Sequence, residues 1–369
     1  MLVAAATASA NWMFSLGRAI HPERPAVNLV VIAGLLRPLK TLNTLDGKPE
    51  LISVGFMGDS SAIAYPSGRR VHQRLHETLE RRRSGPTRYH VTSLSSLGMT
   101  PAGFYLLQDE INEAHPDIAI VTANLALLRD PLPRMLERPQ LAGWVAPERW
   151  WDTLVGLDLH KYGVTADRLL LYNLLVRADL LQTWLLQTTE QARLGHMRED
   201  LEQTVADRFG FRTEVSTRST RRLRLLSDSM QQLDPPRRNT ASAQAYYGEI
   251  MDGLDEGHWV LEILQALLED FARAGTAVIL YVPPINVEHV RSIGVHDEAG
   301  LMQSLAALER IARQTGAEFA DLHDILPDEA FRDTGGHFTH ESPYDGPLIV
   351  AATLSTYVEI LGRQIATTR

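Results

Sequence analysis

The sequence predicts an α/β protein, a three-layer α/β/α core built on a parallel sheet and interrupted by a helical insertion. Two observations carry this. Short apolar runs that stop at Gly or Pro alternate with helix-spaced segments in two stretches of the chain, the rhythm of a parallel sheet with helices on both faces. Between them lies a long stretch with helical spacing and no convincing strand. At 369 residues the chain also exceeds the usual size of one core, so an inserted or second unit is expected. The divisions drawn are 1–48 as an N-terminal apolar segment, 49–130 and 251–369 as the halves of the core, and 131–250 as the insertion.

The elements follow in order. Leu51 to Met57 (LISVGFM) is an apolar run ending at Gly58 and reads as a buried strand. Pro66 to Arg83 has helical spacing and stops at Ser84-Gly85-Pro86. Arg88 to Leu94 is the next strand, Pro101 to His115 a helix, and Ile118 to Thr122 a strand entered through Pro116-Asp117. Pro131 to Gln140 is a proline-rich connector. Beyond it, Arg168 to Gln191 carries leucines all round, as a helix buried on every side does. The insertion is expected over or beside the mouth of the active site. The basic run Arg218 to Arg224 reads either as a solvated helix face or as a contact for an anionic polymer or lipid headgroup. Asp234 to Ser242 reads as an exposed loop. The α/β rhythm resumes with a helix at Trp259 to Ala274, a buried strand at Thr276 to Val282 and a helix at Glu298 to Thr315. A strand at Ala317 to Leu322 and a last helix at Gly346 to Ile365 complete it.

Composition narrows the chemistry. Apolar residues make up 44% and charged residues 22%, the balance of a folded globular protein. A formal net charge of −9 gives a nucleic-acid partner no electrostatic support. Cysteine is absent, which removes disulfides, thiol catalysis and thiolate-bound metal but fits either side of a membrane. No glycine-rich phosphate loop or dinucleotide fingerprint is present, so no cofactor is expected. His337, His340, Asp333 and Glu341 cluster in sequence without a recognised metal-ligand spacing, so no metal is expected. Met1 to Leu16 is apolar and rich in small residues, with no basic residue before the run and Asn11 interrupting it. Two readings stand for the N-terminus: a packed or membrane-surface helix, and a signal or anchor remnant. A second apolar run, Val27 to Leu36, is far shorter than the ~20 residues a membrane-spanning helix needs.

A serine becomes a nucleophile when a base can take its proton and donors await the oxyanion. In a parallel sheet such groups gather at the carboxyl ends of strands. Three places qualify: Gly58-Asp59-Ser60 after the first strand, Ala123-Asn124 after the third, and the loop holding His337. Taken singly each is ordinary, the first a turn with a helix N-cap, the others loop residues. Their order and placement are what single them out.

The run Gly55-Phe56-Met57-Gly58-Asp59-Ser60-Ser61 resembles the first block of the SGNH (GDSL-type) hydrolases. Pro116 to Asn124 resembles the third block, in which Pro-Asp opens a strand that ends in Gly-x-Asn-Asp. Asp333-Thr334-Gly335-Gly336-His337-Phe338-Thr339 resembles the last, and Gly98 stands for the second-block glycine. The resemblance implies a flavodoxin-like core and a Ser-His-Asp triad. Ser60 would be the nucleophile, His337 the base and Asp333 its orienting carboxylate. The backbone N–H groups of Ser60 and Gly98 and the Asn124 amide would form the oxyanion hole. The insertion is not covered. Two departures stand out. Thr122 and Leu125 replace the outer residues of the third block, and three residues separate Asp333 from His337 where the family has two. His340 therefore competes with His337 for the register.

The resemblance implies a serine ester hydrolase or O-acyltransferase working through an acyl-serine. Its substrate would be an acyl ester, on carbohydrate or cell-envelope material. The apolar N-terminus favours an extracytoplasmic or membrane-associated setting. Two rivals stand beside this: an intracellular carboxylesterase, and a non-catalytic accessory protein that keeps the fold to bind a polymer or a membrane acyltransferase.

Overall fold

The structure, a computed structural model, describes residues 38–39, 41–45, 48, 50–83, 85–95, 99–106, 108–128, 240–332, 336–340 and 343–369. They fall in one compact unit made of Val30–Leu132 and Asp234–Arg369. The N-terminal apolar run, the bulk of the expected insertion, Gly98 and Asp333 lie outside the described residues.

Five strands form one parallel sheet: β1 (Leu51–Met57), β2 (Arg88–Ser93), β3 (Ile118–Thr122), β4 (Ala277–Val282) and β5 (Glu318–Asp321), in the order β2-β1-β3-β4-β5. β3 is buried throughout, and β1 and β4 at every residue but the first. Helices cover both faces, which is why these strands read as continuous apolar runs instead of alternating. The Pro116-Asp117 entry to β3 sets register at the amino ends. Asp117 Oδ2 accepts from Ser53 N (2.7 Å) and Ser53 Oγ (2.9 Å), and Ser53 Oγ accepts from Asp117 N (3.0 Å). Arg369, the last residue, pairs with the same carboxylate.

The described helices are α1 (Ser60–Ile63), α2 (Val71–Arg82), α3 (Pro101–Leu106), α4 (Gln108–Glu113), α5 (Leu125–Leu128) and α6 (Thr240–Met251), followed by α7 (Trp259–Arg273), α8 (Val287–Ser292), α9 (Glu298–Thr315) and α10 (Gly346–Thr368). α2 and α10 pack together over one face, on Ile52, Val54, Phe56, Ile118, Ile120 and Ile279. α7 packs on β4, α3 and α9 on the other side. α9 shows local signals at work. The Asp297 carboxylate accepts from Ala299 N and Gly300 N, and Gly316 closes the helix at φ +74°, a left-handed position that suits glycine.

Several elements differ from expectation. α2 starts at Val71, not Pro66, because the intervening turn carries Gly68 at φ +85°. The expected helix from Pro101 to His115 is helical at Pro101–Leu106 and Gln108–Glu113 and stops before His115, which sits at φ +44°. Thr240 to Ser242, expected in a loop, begins α6. α8 was not anticipated; the Asn286 side chain caps it by accepting from His289 N. Among the described residues no helix is long and apolar enough to cross a membrane.

Candidate active site

The strand order places a switch point between β1 and β3. The chain leaves β1 for β2 on one side and returns as β3 on the other, so the carboxyl ends of β1 and β3 open a crevice where ligands of such sheets bind. Ser60 and Asn124 both stand there, Ser60 as the first residue of α1 and Asn124 just before α5. The Asp59 carboxylate joins them. Its Oδ1 accepts from Ser61 N at 2.7 Å and its Oδ2 from Asn124 Nδ2 at 2.7 Å, and Asp59 is only 1% exposed. Asn124 Oδ1 in turn accepts from Ala126 N at 3.1 Å. With the oxygen and one amide hydrogen so engaged, the second N–H is left for a ligand. Gly58 is required by space: a Cβ there would lie 2.8 Å from Ala62 Cβ and 2.9 Å from Phe56 Cε1.

The histidine loop is fastened to the segment just after α1. Phe338 N donates to Tyr65 Oη (3.0 Å), and Arg332 Nη2 to Ala64 O (3.1 Å). The Phe338 and Tyr65 rings stack with centroids 6.1 Å apart, and the Arg332 guanidinium lies over the Tyr65 ring. Within the loop, Phe331 and Phe338 form an antiparallel bridge, and Arg332 N donates to His337 O (2.9 Å). α10 presses on the same loop, since a Cβ at Gly346 would come within 2.4 Å of Phe338 Cβ. Gly336, at φ +76°, adopts a turn that glycine accommodates without a steric cost. His337 thus follows a glycine that lines the crevice. His340 instead sets its ring edge-on to Tyr65 and has its carbonyl bonded by Arg69 Nη1 (2.8 Å).

Beneath the serine turn lies a buried hydroxyl cluster. Thr122 and Tyr281 are register partners on β3 and β4, and the hydroxyls of Ser61 and Thr122 close on the Tyr281 phenol without reaching full hydrogen-bond geometry. Burial, and after it the negative charge of Asp59, pushes the Tyr281 phenol well above its ordinary value. It therefore stays a neutral donor under the serine turn at any ordinary pH.

Above this floor is a cleft whose polar lining is Ser61, Asn124 and the backbone at Gly336. Its apolar walls are Leu125, Tyr247, Ile250, Pro283, Pro284 and Ile285. The prolines that end β4 thus stand on the rim of the same site. A separate pair sits at the carboxyl end of β5, where His323 Nδ1 lies 2.7 Å from Asp321 Oδ1. The Asp321 contact raises the imidazole above its ordinary value. Neither residue is part of the cleft lining.

Of the residues singled out in the sequence, Ser60 and Asn124 stand at the carboxyl ends of β1 and β3, and His337 directly follows Gly336 of the cleft lining, while Asp333 and Gly98 lie outside the described residues. Among the described residues no group of three or more His, Asp or Glu is gathered as a metal site. The sequence reading placed the tract Tyr281 to Asn286 either on the rim of the site or as a plain strand terminator, and assigned no role to Asp59, Tyr65 or Tyr247. Asp59 carried a signal, an aspartate directly before a helix start; the tyrosines carried none, because each acts through residues distant in the chain. No family model and no curated protein matches this sequence.

Proposed function

We propose that this chain is a serine ester hydrolase or O-acyltransferase of the SGNH type, acting on acylated carbohydrate or envelope material. The observation that carries the proposal is the Asp59 carboxylate, which holds the start of the Ser60 helix and the Asn124 amide in fixed relation at a sheet switch point. A nucleophile and an oxyanion donor need that relation, and an ordinary turn does not.

In this reading Ser60 Oγ attacks the ester carbonyl carbon while His337 takes its proton. The carbonyl oxygen becomes an oxyanion that accepts from the Ser60 N–H, the free Asn124 N–H and the Gly98 N–H. The C–O bond to the alcohol then breaks, and His337 returns the proton to the leaving oxygen. Water or an acceptor hydroxyl attacks the acyl-serine in the second half, with His337 again as base. Asp333 would orient the imidazole.

The test is intact-protein mass after exposure to a serine-directed phosphonate. One adduct, mapped to Ser60 and absent from Ser60→Ala, is expected. A folded protein that takes no adduct and turns over no activated ester would favour the accessory-protein reading.

A further inference from the structure

The peptide unit that follows His337 is held at both of its polar ends. Its carbonyl, His337 O, accepts from Arg332 N at 2.9 Å, and its N–H, that of Phe338, donates to Tyr65 Oη at 3.0 Å. The two residues before His337 are glycines, which restrain a backbone least. The direction in which the His337 side chain leaves the chain therefore depends on how this following unit is held.

Tyr65 ties that unit to the nucleophile segment. It stands two residues beyond the end of α1, the helix that Ser60 begins. Ala64 N donates to Ser60 O (2.9 Å) and Tyr65 N to Ile63 O (2.8 Å), so the tyrosine backbone is fixed to the serine helix. A second strut runs beside it, from Arg332 Nη2 to Ala64 O at 3.1 Å. The Tyr65 and Phe338 rings stack with 19° between their planes, a place that a phenylalanine ring would fill as well. The phenol oxygen supplies an acceptor for the Phe338 N–H. Tyr65 is 4% exposed and Phe338 1%, so water is a poor substitute for that acceptor.

We infer that Tyr65 is a positioning residue for the base: its hydroxyl fixes the His337 segment at a set place relative to the start of the Ser60 helix. The inference rests on the serine-ester reading above and adds to it a link between nucleophile and base that runs outside their own side chains. Geometry of this kind matters to rate, because a displacement of about 1 Å at a reacting group costs on the order of 10².

The experiment uses Tyr65→Phe, which keeps the ring and removes the acceptor, alone and combined with His337→Ala. On 4-nitrophenyl acetate, Tyr65→Phe should lower kcat about tenfold to a hundredfold with KM little changed, since the loss falls on proton transfer. In the His337→Ala background it should lower kcat no further, because the base it positions is gone. The urea midpoint should fall in both backgrounds, as a buried N–H loses its acceptor in each; the same melts establish that every variant is folded under assay conditions. Phosphonate labelling of Ser60 should slow with kcat in Tyr65→Phe and run at one rate in the two His337→Ala proteins. A wild-type kcat in Tyr65→Phe, or a loss of the same factor in both backgrounds, makes the tyrosine a structural contact only and leaves the serine reading intact. No labelling and no turnover of the ester by the wild-type protein overturns both.

Discussion

Replacing Asp59 by serine separates its two duties. Serine is a good N-cap and retains an oxygen for Ser61 N, but it has none for Asn124. The bond lost is the 2.7 Å contact from Asn124 Nδ2 to a buried carboxylate. Hydrogen bonds to charged groups contribute about 1.5–3 kcal/mol, and relief from burying a charge offsets part of that loss. A stability loss of about 2 kcal/mol or less is therefore expected from urea melts. The effect on rate should be larger. Released from Asp59, the Asn124 amide no longer presents its second N–H at a fixed angle, and losing one oxyanion donor costs about 10²–10³ in kcat. The assay is hydrolysis of 4-nitrophenyl acetate with kcat and KM resolved, in a cycle of Asp59→Ser, Asn124→Ala and the double variant. Because both changes remove the same donor, the double variant should be little slower than either single one. Multiplying losses, or a wild-type kcat in Asp59→Ser, would refute the positioning role.

Other outcomes follow from the same geometry. Ser60→Ala should abolish activity on activated esters with the fold intact, whereas Ser61→Ala should retain most of it; full activity in Ser60→Ala would remove the nucleophile assignment. His337→Ala should cost on the order of 10²–10⁴ in kcat and His340→Ala only a small factor, and the reverse pattern would shift the register by three residues. Burial, then the charges of Arg70 and His76, lower the His72 imidazole to about 4. The unfolded chain, with His72 near 6.5, binds the extra proton first, so stability is complete above about pH 6.5 and is lost as pH falls towards 4, by about 3 kcal/mol. Melts at pH 7 and pH 4.5 should show this loss, and His72→Leu should reduce it; a variant with unchanged pH dependence would refute the assignment. If the N-terminal apolar run associates with membranes, the full-length chain should sediment with them and its deletion should release an active core, while a full-length protein freely soluble without detergent would favour the packed helix.

How much of this was legible differs from element to element. β1, β3 and β4 were readable because a strand covered on both faces must be apolar at successive positions, and Gly58, Pro116 and Pro283 punctuate them. α9 was readable because its cap and its stop, Asp297 and Gly316, are local devices. Ser60 and Asn124 could be placed at strand ends on the same grounds. α6 was hidden by the Pro-Pro-Arg-Arg-Asn run before it, and by small and apolar residues spread around its circumference rather than along one stripe.

The sequence alone thus determined the class of the fold, the identity of the central strands and the residues worth watching at their ends, since each depends on neighbours within a turn or two of chain. Tertiary structure decided the rest. The order β2-β1-β3-β4-β5 set β1 beside β3, and that pairing alone let the Asp59 carboxylate reach an asparagine 65 positions further on. It also brought Tyr65 under Phe338 and carried Tyr247 and Ile250 to the wall of the cleft. Such contacts join residues far apart in the chain, and their free energy depends on which surfaces are buried together, for which no local pattern of residues is a record.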